Sequence, residues 1–301
     1  MSANTSTSRL TTADIARMHA DGERIPMLTA YDYPTARLLD EAGIPFLLVG
    51  DSLGTVLLGY DSEIRVSMAD MLHHTAAVVR GSSRALVVGD MPFLSYATPE
   101  EAVENGGRFL REAGAQAVKV EGGVRSGRTI EALARAGIPV MGHIGWTPQS
   151  KHALGGKVRV QGKTSDRARS LLADALAVQE AGAFSIVLEL VPEQLAAAIT
   201  ARLRIPTIGI GAGPGCSGQV QVITDLLGMA DWQPRHARPF ADLRTTILDA
   251  ARRYADEVSS GTFPGPEQTV RMDDTVLDDV LGRTALDQPL AGLPIPLDRD
   301  L

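Results

Sequence analysis

Four acidic side chains stand at the points where short apolar runs end. Continuous aliphatic and β-branched residues, without polar alternation, are typical of strands buried on both faces of a parallel sheet. Parallel strands end on one rim, which is where α/β barrels hold their reactive groups. We therefore expect four carboxylates to converge there: Asp51 after FLLVG, Asp90 after ALVVG, Glu121 after AVKV and Glu189 after SIVL.

Acids in this arrangement predict a site for a hard divalent cation. Carboxylates with neither His nor Cys among them suit Mg²⁺, which also leaves coordination positions for substrate oxygens. Lys119 lies two residues before Glu121, so both side chains share one face of a strand and should point into a barrel. A lysine there can bind a substrate carboxylate or a developing enolate oxygen. For each acid, the alternative is an ion pair with a neighbouring lysine or arginine.

A repeated pattern marks the elements that would position these acids. Four predicted helices end in DEAG, REAG, ARAG or QEAG, and a predicted strand follows each within two or three residues. The final glycine can supply the left-handed conformation that ends a helix. Eight helix–strand units favour a closed (β/α)8 TIM barrel, with a doubly wound open sheet as the alternative. The four glycines are Gly43, Gly114, Gly137 and Gly182.

The pattern divides the chain into three predicted parts. Residues 1–24 form an N-terminal segment whose short amphipathic helix would close the bottom of the barrel or make an oligomer contact. Residues 25–262 form the barrel, in which the first strand extends to Asp32 and the last covers residues 219–223. Residues 263–301, rich in Pro and Asp, form a poorly ordered or surface-docked tail with one short helix near residues 272–281.

Composition restricts the class of protein. The chain has 301 residues, of which 44% are hydrophobic, so one domain can bury a large core. A net charge of −7 argues against nucleic acid as the main partner. The single cysteine, Cys216, excludes a disulfide framework and fits a reducing cytoplasm. We see neither a signal peptide nor an apolar stretch of membrane-spanning length.

Other positions have open interpretations. His143 should face the same rim, either to contact substrate or a neighbouring site residue, or to make a structural hydrogen bond. His73 and His74, in mid-helix, are interpreted as structural. The glycine-rich segment 209–215 resembles a phosphate loop, although close backbone packing is the favoured interpretation. The long segment 147–163 is either a lid near the active rim or a solvated charged loop.

Several motifs in register carry a resemblance to a known family. VGDSLG, VGDMPF, KVEGG, GHIGWTPQS, VLELVP and IGIGAG occur in this order between about residues 25 and 263. The sequence resembles the ketopantoate hydroxymethyltransferase family of the phosphoenolpyruvate mutase/isocitrate lyase superfamily. The resemblance implies a (β/α)8 barrel, Mg²⁺, 5,10-methylenetetrahydrofolate as one-carbon donor and a homodecamer built as a pentamer of dimers. The implied reaction converts 3-methyl-2-oxobutanoate into 2-dehydropantoate in pantothenate biosynthesis.

The same resemblance implies a role for each motif residue. Asp51, Asp90 and Glu121 would hold the metal, and Glu189 would be the catalytic base. Because a base too close to Mg²⁺ would be weak, we also expect that Glu189 does not coordinate the ion. Substrate contacts would come from Asp51, Ser52, Asp90 and Lys119. The sequence departs from the family pattern at residues 214–217 and in the length of its tail, which leaves the loop detail on the folate side and the terminus open.

Three alternatives to this function can be stated. One is a Mg²⁺-dependent carbon–carbon lyase of the same superfamily, acting on a 2-oxo or 2-hydroxy acid with a loop cysteine as acid. The second is an aldolase in which Lys119 forms a Schiff base. The third is a barrel that serves as a non-catalytic scaffold.

Overall fold

The computed structural model describes residues 8–283. Contacts divide the chain into two compact units with the boundary between Arg244 and Thr245. This boundary lies inside the last long helix and not at residue 262, and the predicted three-part division stays a prediction. Residues 1–7 and 284–301 lie outside the described part of the chain. None of the described helices is both long enough and apolar enough to cross a membrane.

Eight short parallel strands form a closed barrel in the first unit. Each pairs with the next along the chain, and the last pairs with the first, with Leu28 opposite Gln221. This closure confirms the predicted TIM barrel and excludes the open sheet. The strands are β1 (Ile25–Thr29), β2 (Phe46–Val49), β3 (Leu86–Asp90), β4 (Ala117–Glu121), β5 (Val140–Gly145), β6 (Ser185–Glu189), β7 (Thr207–Ile210) and β8 (Gly218–Gln221).

Helices connect the strands and cover the barrel. Within the first unit they are α1 (Thr12–Ala20), α2 (Tyr33–Glu41), α3 (Leu53–Val56), α4 (Met68–Gly81), α5 (Pro99–Arg111), α6 (Gly127–Arg135), α7 (Ser165–Glu180), α8 (Glu193–Thr200) and α9 (Ile223–Leu226). Helix α10 (Leu243–Ser260) crosses the boundary, and α11 (Asp274–Arg283) belongs to the second unit. The expected tail helix near residues 272–281 is thus present, slightly shifted.

Local signals in the sequence set most helix ends. Ser67 and Thr98 accept hydrogen bonds from the third residue of α4 and α5, and each helix begins with a capping box. The four predicted helix-ending glycines all have positive φ, between 75° and 98°. Asp32, however, is the N-cap of α2 and not part of β1, because its carboxylate accepts from the Thr35 amide.

Alternate strand residues face two different cores. One apolar cluster fills the barrel interior with side chains such as Met27, Phe46 and Val88, while the other lies between the strands and the surrounding helices. Ile15 of α1 is fully buried in the interior cluster, so this helix closes the bottom of the barrel. The opposite end, where the strands finish, is the end at which polar side chains enter the interior.

Candidate active site

A cavity of about 630 Å³ opens at the carboxyl ends of the strands. It lies entirely in the first unit. Every residue that the sequence singled out for catalysis, substrate or metal lines this one space, and His143 joins them. The lining set from the predictions is Asp51, Ser52, Asp90, Lys119, Glu121 and Glu189.

Strand alternation delivers most of these side chains. Val88 faces the barrel interior, so Asp90, two residues later, does too, and Val187 places Glu189 in the same way. Ala117 also faces the interior, so Lys119 and Glu121, two and four residues later on the same strand, face it too. The interior is therefore apolar at the bottom and ionisable at the mouth, where solvent and substrate enter.

Asp51 reaches the cavity by a different route. Strand β2 ends at Val49, and the chain turns at Gly50, where an added Cβ would lie 2.7 Å from Ser52 Oγ. The Asp51 amide then donates to Asp90 Oδ2 at 3.0 Å, which places the two acids side by side. Ser52 Oγ lies 2.9 Å from the hydroxyl of the buried Tyr31.

Lys119 is fixed among the acids as a cation. Its Nζ lies 2.6 Å from Asp90 Oδ1 and 3.3 Å from His143 Nδ1, with both side chains of the Lys119–Asp90 pair almost fully buried. Burial alone would lower the pKa of Lys119, but the carboxylates of Asp90, Glu121 and Asp51 raise it above its ordinary value. The amine is therefore protonated, whereas Schiff-base formation needs the neutral amine.

His143 stands between two of the predicted carboxylates. Its Nδ1 lies 3.3 Å from Glu121 Oε1, and its Nε2 lies 3.2 Å from Glu189 Oε2. Burial and Lys119 would lower the pKa of His143, but the Glu121 and Glu189 carboxylates raise it to about 9. Of the two interpretations left open by the sequence, this geometry supports a contact within the site.

The cluster has features that suit a divalent cation. Burial, with the negative charges of Asp90 and Glu121, raises the pKa of Asp51 well above its ordinary value. In the part of the chain that is described, Asp90 Oδ1 and Glu121 Oε1 are buried without a hydrogen bond of acceptable geometry, although each has an ion-pair contact. A bound cation would favour the charged form of Asp51 and would give the two buried oxygens a partner. The residues therefore fit the predicted ion.

The carboxylates are not already arranged as a complete metal shell. Across residues 8–283, no group of three or more His, Cys, Asp or Glu side chains is close enough together to hold a metal ion as it stands. Lysine, histidine and amide donors occupy several of the carboxylate oxygens instead. Mg²⁺ commonly takes only one or two protein carboxylates and retains waters, so a full cage is not required.

Gln149, which no sequence pattern singles out, contacts two of the predicted metal ligands. Its Nε2 donates to Asp51 Oδ2 at 2.8 Å, and its backbone amide donates to Glu121 Oε2 at 3.1 Å. The residue lies in a short 3-10 turn, Pro148–Ser150, after β5. It belongs to the quoted GHIGWTPQS motif, but no periodicity marks an amide in a loop as a partner of distant acids.

The outer part of the cavity has a more apolar wall. Trp146 and Val158 contribute from the segment after β5, and Met229 and Trp232 contribute from the segment after α9. Half-buried Asp225 adds one carboxylate to this wall, and burial raises its pKa. Part of the predicted lid segment 147–163 therefore does line the site.

Two weaker motifs have structural contacts. His74 Nδ1 lies 2.6 Å from the carbonyl oxygen of Tyr31, in keeping with a structural role. In the glycine-rich segment, a Cβ at Gly213 would lie 2.5 Å from the side chain of Glu193, and one at Gly215 would lie 2.8 Å from Ala197. Close packing against α8 is therefore enough to explain glycine at these positions.

Comparison with known proteins agrees with the site. Residues 9–266 match the family model described as ketopantoate hydroxymethyltransferase. A 3-methyl-2-oxobutanoate hydroxymethyltransferase of Chloroflexus aurantiacus is 62% identical over 275 residues, covering 91% of this chain and 97% of the relative.

Solved structures with low sequence identity share the fold. Phosphonopyruvate hydrolase, solved with oxalate and Mg²⁺, has a TM-score of 0.57 at 12% identity, over 91% of this chain and 95% of that one. The 2,3-dimethylmalate lyase of the PEP mutase/isocitrate lyase superfamily has a TM-score of 0.53 at 17% identity, over 91% and 96%. With the family model and the 62% identical relative, the conclusion is that this chain belongs to the ketopantoate hydroxymethyltransferase family.

Proposed function

We propose that this chain transfers a one-carbon unit from 5,10-methylenetetrahydrofolate to 3-methyl-2-oxobutanoate, giving 2-dehydropantoate and tetrahydrofolate with the uptake of water. The reaction places the enzyme in pantothenate biosynthesis. The observation that carries the proposal is the single cavity in which Asp51, Asp90, Glu121 and Glu189 meet Lys119. A scaffold protein has no need for so many buried ionisable groups in one cavity, because burying each of them costs free energy.

Asp51, Asp90 and Glu121 would hold Mg²⁺ in this proposal. When bound, the ion would polarise the keto oxygen of the substrate and so acidify the adjacent C–H. The support is the excess of carboxylates over cations in the cavity and the two buried carboxylate oxygens without a hydrogen bond of acceptable geometry within residues 8–283.

Substrate contacts would come from the same rim. The ammonium of Lys119 can attract the carboxylate or the keto oxygen of a 2-oxo acid, and its ion pair with Asp90 keeps it charged and in place. The hydroxyl of Ser52, held by Tyr31, can donate to a substrate oxygen. Asp51 and Asp90 would lie beside the bound keto acid.

Glu189 would remove the proton from C3 of the keto acid. Its side chain is 18% exposed, more than the other site acids, so it can accept a proton from a ligand in the cavity. His143 stands between Glu189 and Glu121, which keeps the base apart from the predicted metal ligands. The electron pair of the C–H bond moves to the keto oxygen, and the resulting carbon nucleophile forms the bond to the methylene carbon of the folate as one C–N bond of that carbon breaks. Hydrolysis of its other C–N bond supplies the hydroxyl oxygen and releases tetrahydrofolate, whose nitrogens take up the protons.

The folate would occupy the outer part of the cavity. Trp146, Val158, Met229 and Trp232 offer an apolar wall against which a flat ring system can pack. The one-carbon donor would then lie on the solvent side of the keto acid, and the keto acid would bind first.

Hydrogen exchange into 3-methyl-2-oxobutanoate tests the assignment of the base. In D₂O with MgCl₂ and without folate, the protein should exchange the C3 proton, and Glu189→Gln should reduce the rate at least about a hundredfold because general-base catalysis contributes at that level. NMR measures the exchange. Glu131→Gln, at an exposed position on α6, is the matched control and should exchange normally. Undiminished exchange in Glu189→Gln would remove Glu189 from this role.

The two enzymatic alternatives lack support in the site. Cys216, the residue that a lyase would need as an acid, is fully buried and does not line the cavity. Lys119 is held as a cation, and we expect borohydride to trap no adduct with the keto acid. A trapped adduct would favour the aldolase instead.

The cellular location and the oligomeric state of the protein are also proposed. A cytoplasmic location fits a biosynthetic enzyme whose one cysteine is buried. The homodecamer, a pentamer of dimers, is inferred from the family alone.

A further inference from the structure

One glutamine links the ends of several strands at the mouth of the barrel. We infer that Gln149 is a positioning residue, which orients the carboxylates of Asp51 and Glu121 for a divalent cation, and that Tyr96 fixes the orientation of its amide. The inference rests on the proposed metal-dependent function. It goes beyond that function because it assigns roles to two residues outside the predicted ligand and base set.

Gln149 makes four contacts from a buried position. Its side-chain Nε2 donates to Asp51 Oδ2 at 2.8 Å and to the carbonyl oxygen of Met91 at 2.9 Å. Its Oε1 accepts from the hydroxyl of Tyr96 at 2.5 Å, and its backbone amide donates to Glu121 Oε2 at 3.1 Å. Three strand ends, those of β2, β3 and β4, are thereby joined to the segment after β5.

The partners determine which way the amide points. A backbone carbonyl and a carboxylate are acceptors, so both Met91 and Asp51 require the NH₂ group on their side. The carbonyl oxygen of the amide must then face Tyr96, whose hydroxyl can donate to it. A tyrosine hydroxyl carries its proton at neutral pH, so it can serve as this donor.

The contacts with Gln149 engage one oxygen of each acid. Gln149 holds Glu121 Oε2, while Glu121 Oε1 lies 3.3 Å from His143 Nδ1 and has no hydrogen bond of acceptable geometry within residues 8–283. Gln149 also holds Asp51 Oδ2, on the strand end where the Asp51 amide contacts Asp90. Outer contacts of this kind fix the direction of metal ligands, and their loss typically weakens metal binding by about 10–100-fold.

Calorimetric titration with MgCl₂ tests the inference directly. Full-length protein is freed of metal with a chelator, dialysed and titrated without substrate. Gln149→Met keeps the length of the side chain and the backbone amide but removes the donor to Asp51, so we expect about 10–100-fold weaker Mg²⁺ binding. Tyr96→Phe keeps the amide and removes only its anchor, so we expect a smaller loss, up to about tenfold.

Gln161→Met is the matched control. Gln161 lies in the same connection between β5 and α7, where its side chain contacts only the carbonyl oxygen of Arg159 among the hydrogen bonds of the described residues. Its Mg²⁺ affinity should equal that of the unchanged protein. In the exchange assay, a high MgCl₂ concentration should restore much of the rate of Gln149→Met, which a merely structural defect would not allow.

The outcomes separate this inference from the proposed function. If the unchanged protein binds no Mg²⁺, the metal-dependent function fails. If it binds Mg²⁺ and both Gln149→Met and Tyr96→Phe bind it equally well, the function stands and the positioning role is overturned. Should Gln149→Met fail to fold, Tyr96→Phe decides the question alone: unchanged affinity overturns the role and weaker affinity supports it.

Discussion

At the mouth of the barrel, buried acids and bases depend on one another. Lys119 and Asp90 lie 2.6 Å apart with side chains 4% and 3% exposed, so neither is solvated by bulk water. Burial alone would raise the pKa of Glu121, but His143 and Lys119 lower it below its ordinary value. The charges of Lys119 and Glu121 are thus retained because opposite charges lie beside them, and removing one member should disturb the rest.

Replacing Lys119 tests this dependence. Lys119→Met leaves the Asp90 carboxylate buried without its partner and should lower the free energy of unfolding by about 3–5 kcal/mol. The double variant Lys119→Met/Asp90→Asn removes both charges and should recover much of that loss. Urea denaturation in the presence of a chelator measures both.

The exposed pair Arg169–Asp166 provides the control for this prediction. The Arg169 guanidinium nitrogen and the Asp166 carboxylate oxygen are also 2.6 Å apart. Because both side chains are largely in solvent, Arg169→Met should change the free energy of unfolding little. If Lys119→Met and Lys119→Met/Asp90→Asn are equally stable, the prediction is contradicted. Leaving the Asp90 carboxylate buried without Lys119 would then not destabilise the protein.

Among the secondary-structure elements, the start of β3 is held by a helix and not by the sheet alone. Asp40, near the end of α2, accepts hydrogen bonds from the backbone amides of Ser83, Arg84 and Ala85. Ser83 adds a hydroxyl donor at 2.9 Å. These contacts fix the entry of the strand whose other end carries Asp90, so they connect a surface helix to the position of the site.

Asp40→Asn should lower the free energy of unfolding by about 1–2 kcal/mol at neutral pH. The substitution replaces a charged carboxylate acceptor with a neutral amide at a partly exposed position. Partial burial would raise the pKa of Asp40, but the Ser83, Ala85 and Arg84 donors lower it overall. The folded-state pKa is therefore below the unfolded one. The stabilisation is present above the unfolded value of about 4 and is lost as pH falls through the folded value.

Urea denaturation at several pH values checks this prediction. The stability difference between the unchanged protein and Asp40→Asn should be constant above about pH 5 and should shrink below about pH 4. Asp61→Asn, at an exposed position beside Arg65, is the control and should show little difference at any pH. A difference for Asp40→Asn that persists at low pH would show that the contacts do not depend on the charge.

At the scale of the whole molecule, the barrel gathers parts that are distant in the chain. Asp51 and Gln149 are 98 residues apart, yet they share a hydrogen bond. Because the cavity is assembled only when the barrel closes, a ligand that binds there stabilises the folded state over the unfolded one.

MgCl₂ should therefore raise the thermal midpoint of the protein. At about 100 times the dissociation constant the added stability is about 2.7 kcal/mol. Glu121→Gln should lose most of this rise, whereas Glu131→Gln on α6 should keep it. Differential scanning fluorimetry with and without a chelator measures the shift. An equal rise in Glu121→Gln would argue that the ion binds elsewhere.

Sedimentation velocity tests the predicted assembly. A homodecamer contains ten chains of 31.9 kDa and should sediment as one species whose mass is independent of concentration over the micromolar range. A monomer or an isolated dimer would contradict the pentamer of dimers.

Much of the fold could be predicted because its signals are local. Capping residues such as Ser67 and Thr98 accept hydrogen bonds only three residues away, and a glycine such as Gly114 ends its helix by its own backbone freedom. Alternation within a strand likewise predicted that Lys119 and Glu121 face the same way. The boundary at Asp32 could not be predicted, because a polar residue after an apolar run can either end the strand or cap the following helix.

The sequence by itself determined the eight repeated units, the glycines between them and the acids at the strand ends, because each depends on residues a few positions apart. Only the tertiary structure decided how those acids are held. Strand alternation would turn Asp51 away from Leu48's side, and the turn at Gly50 brings it into the cavity instead. Gln149 and Tyr96 acquire their partners only when the barrel closes, since contacts between distant segments leave no periodic trace in the chain.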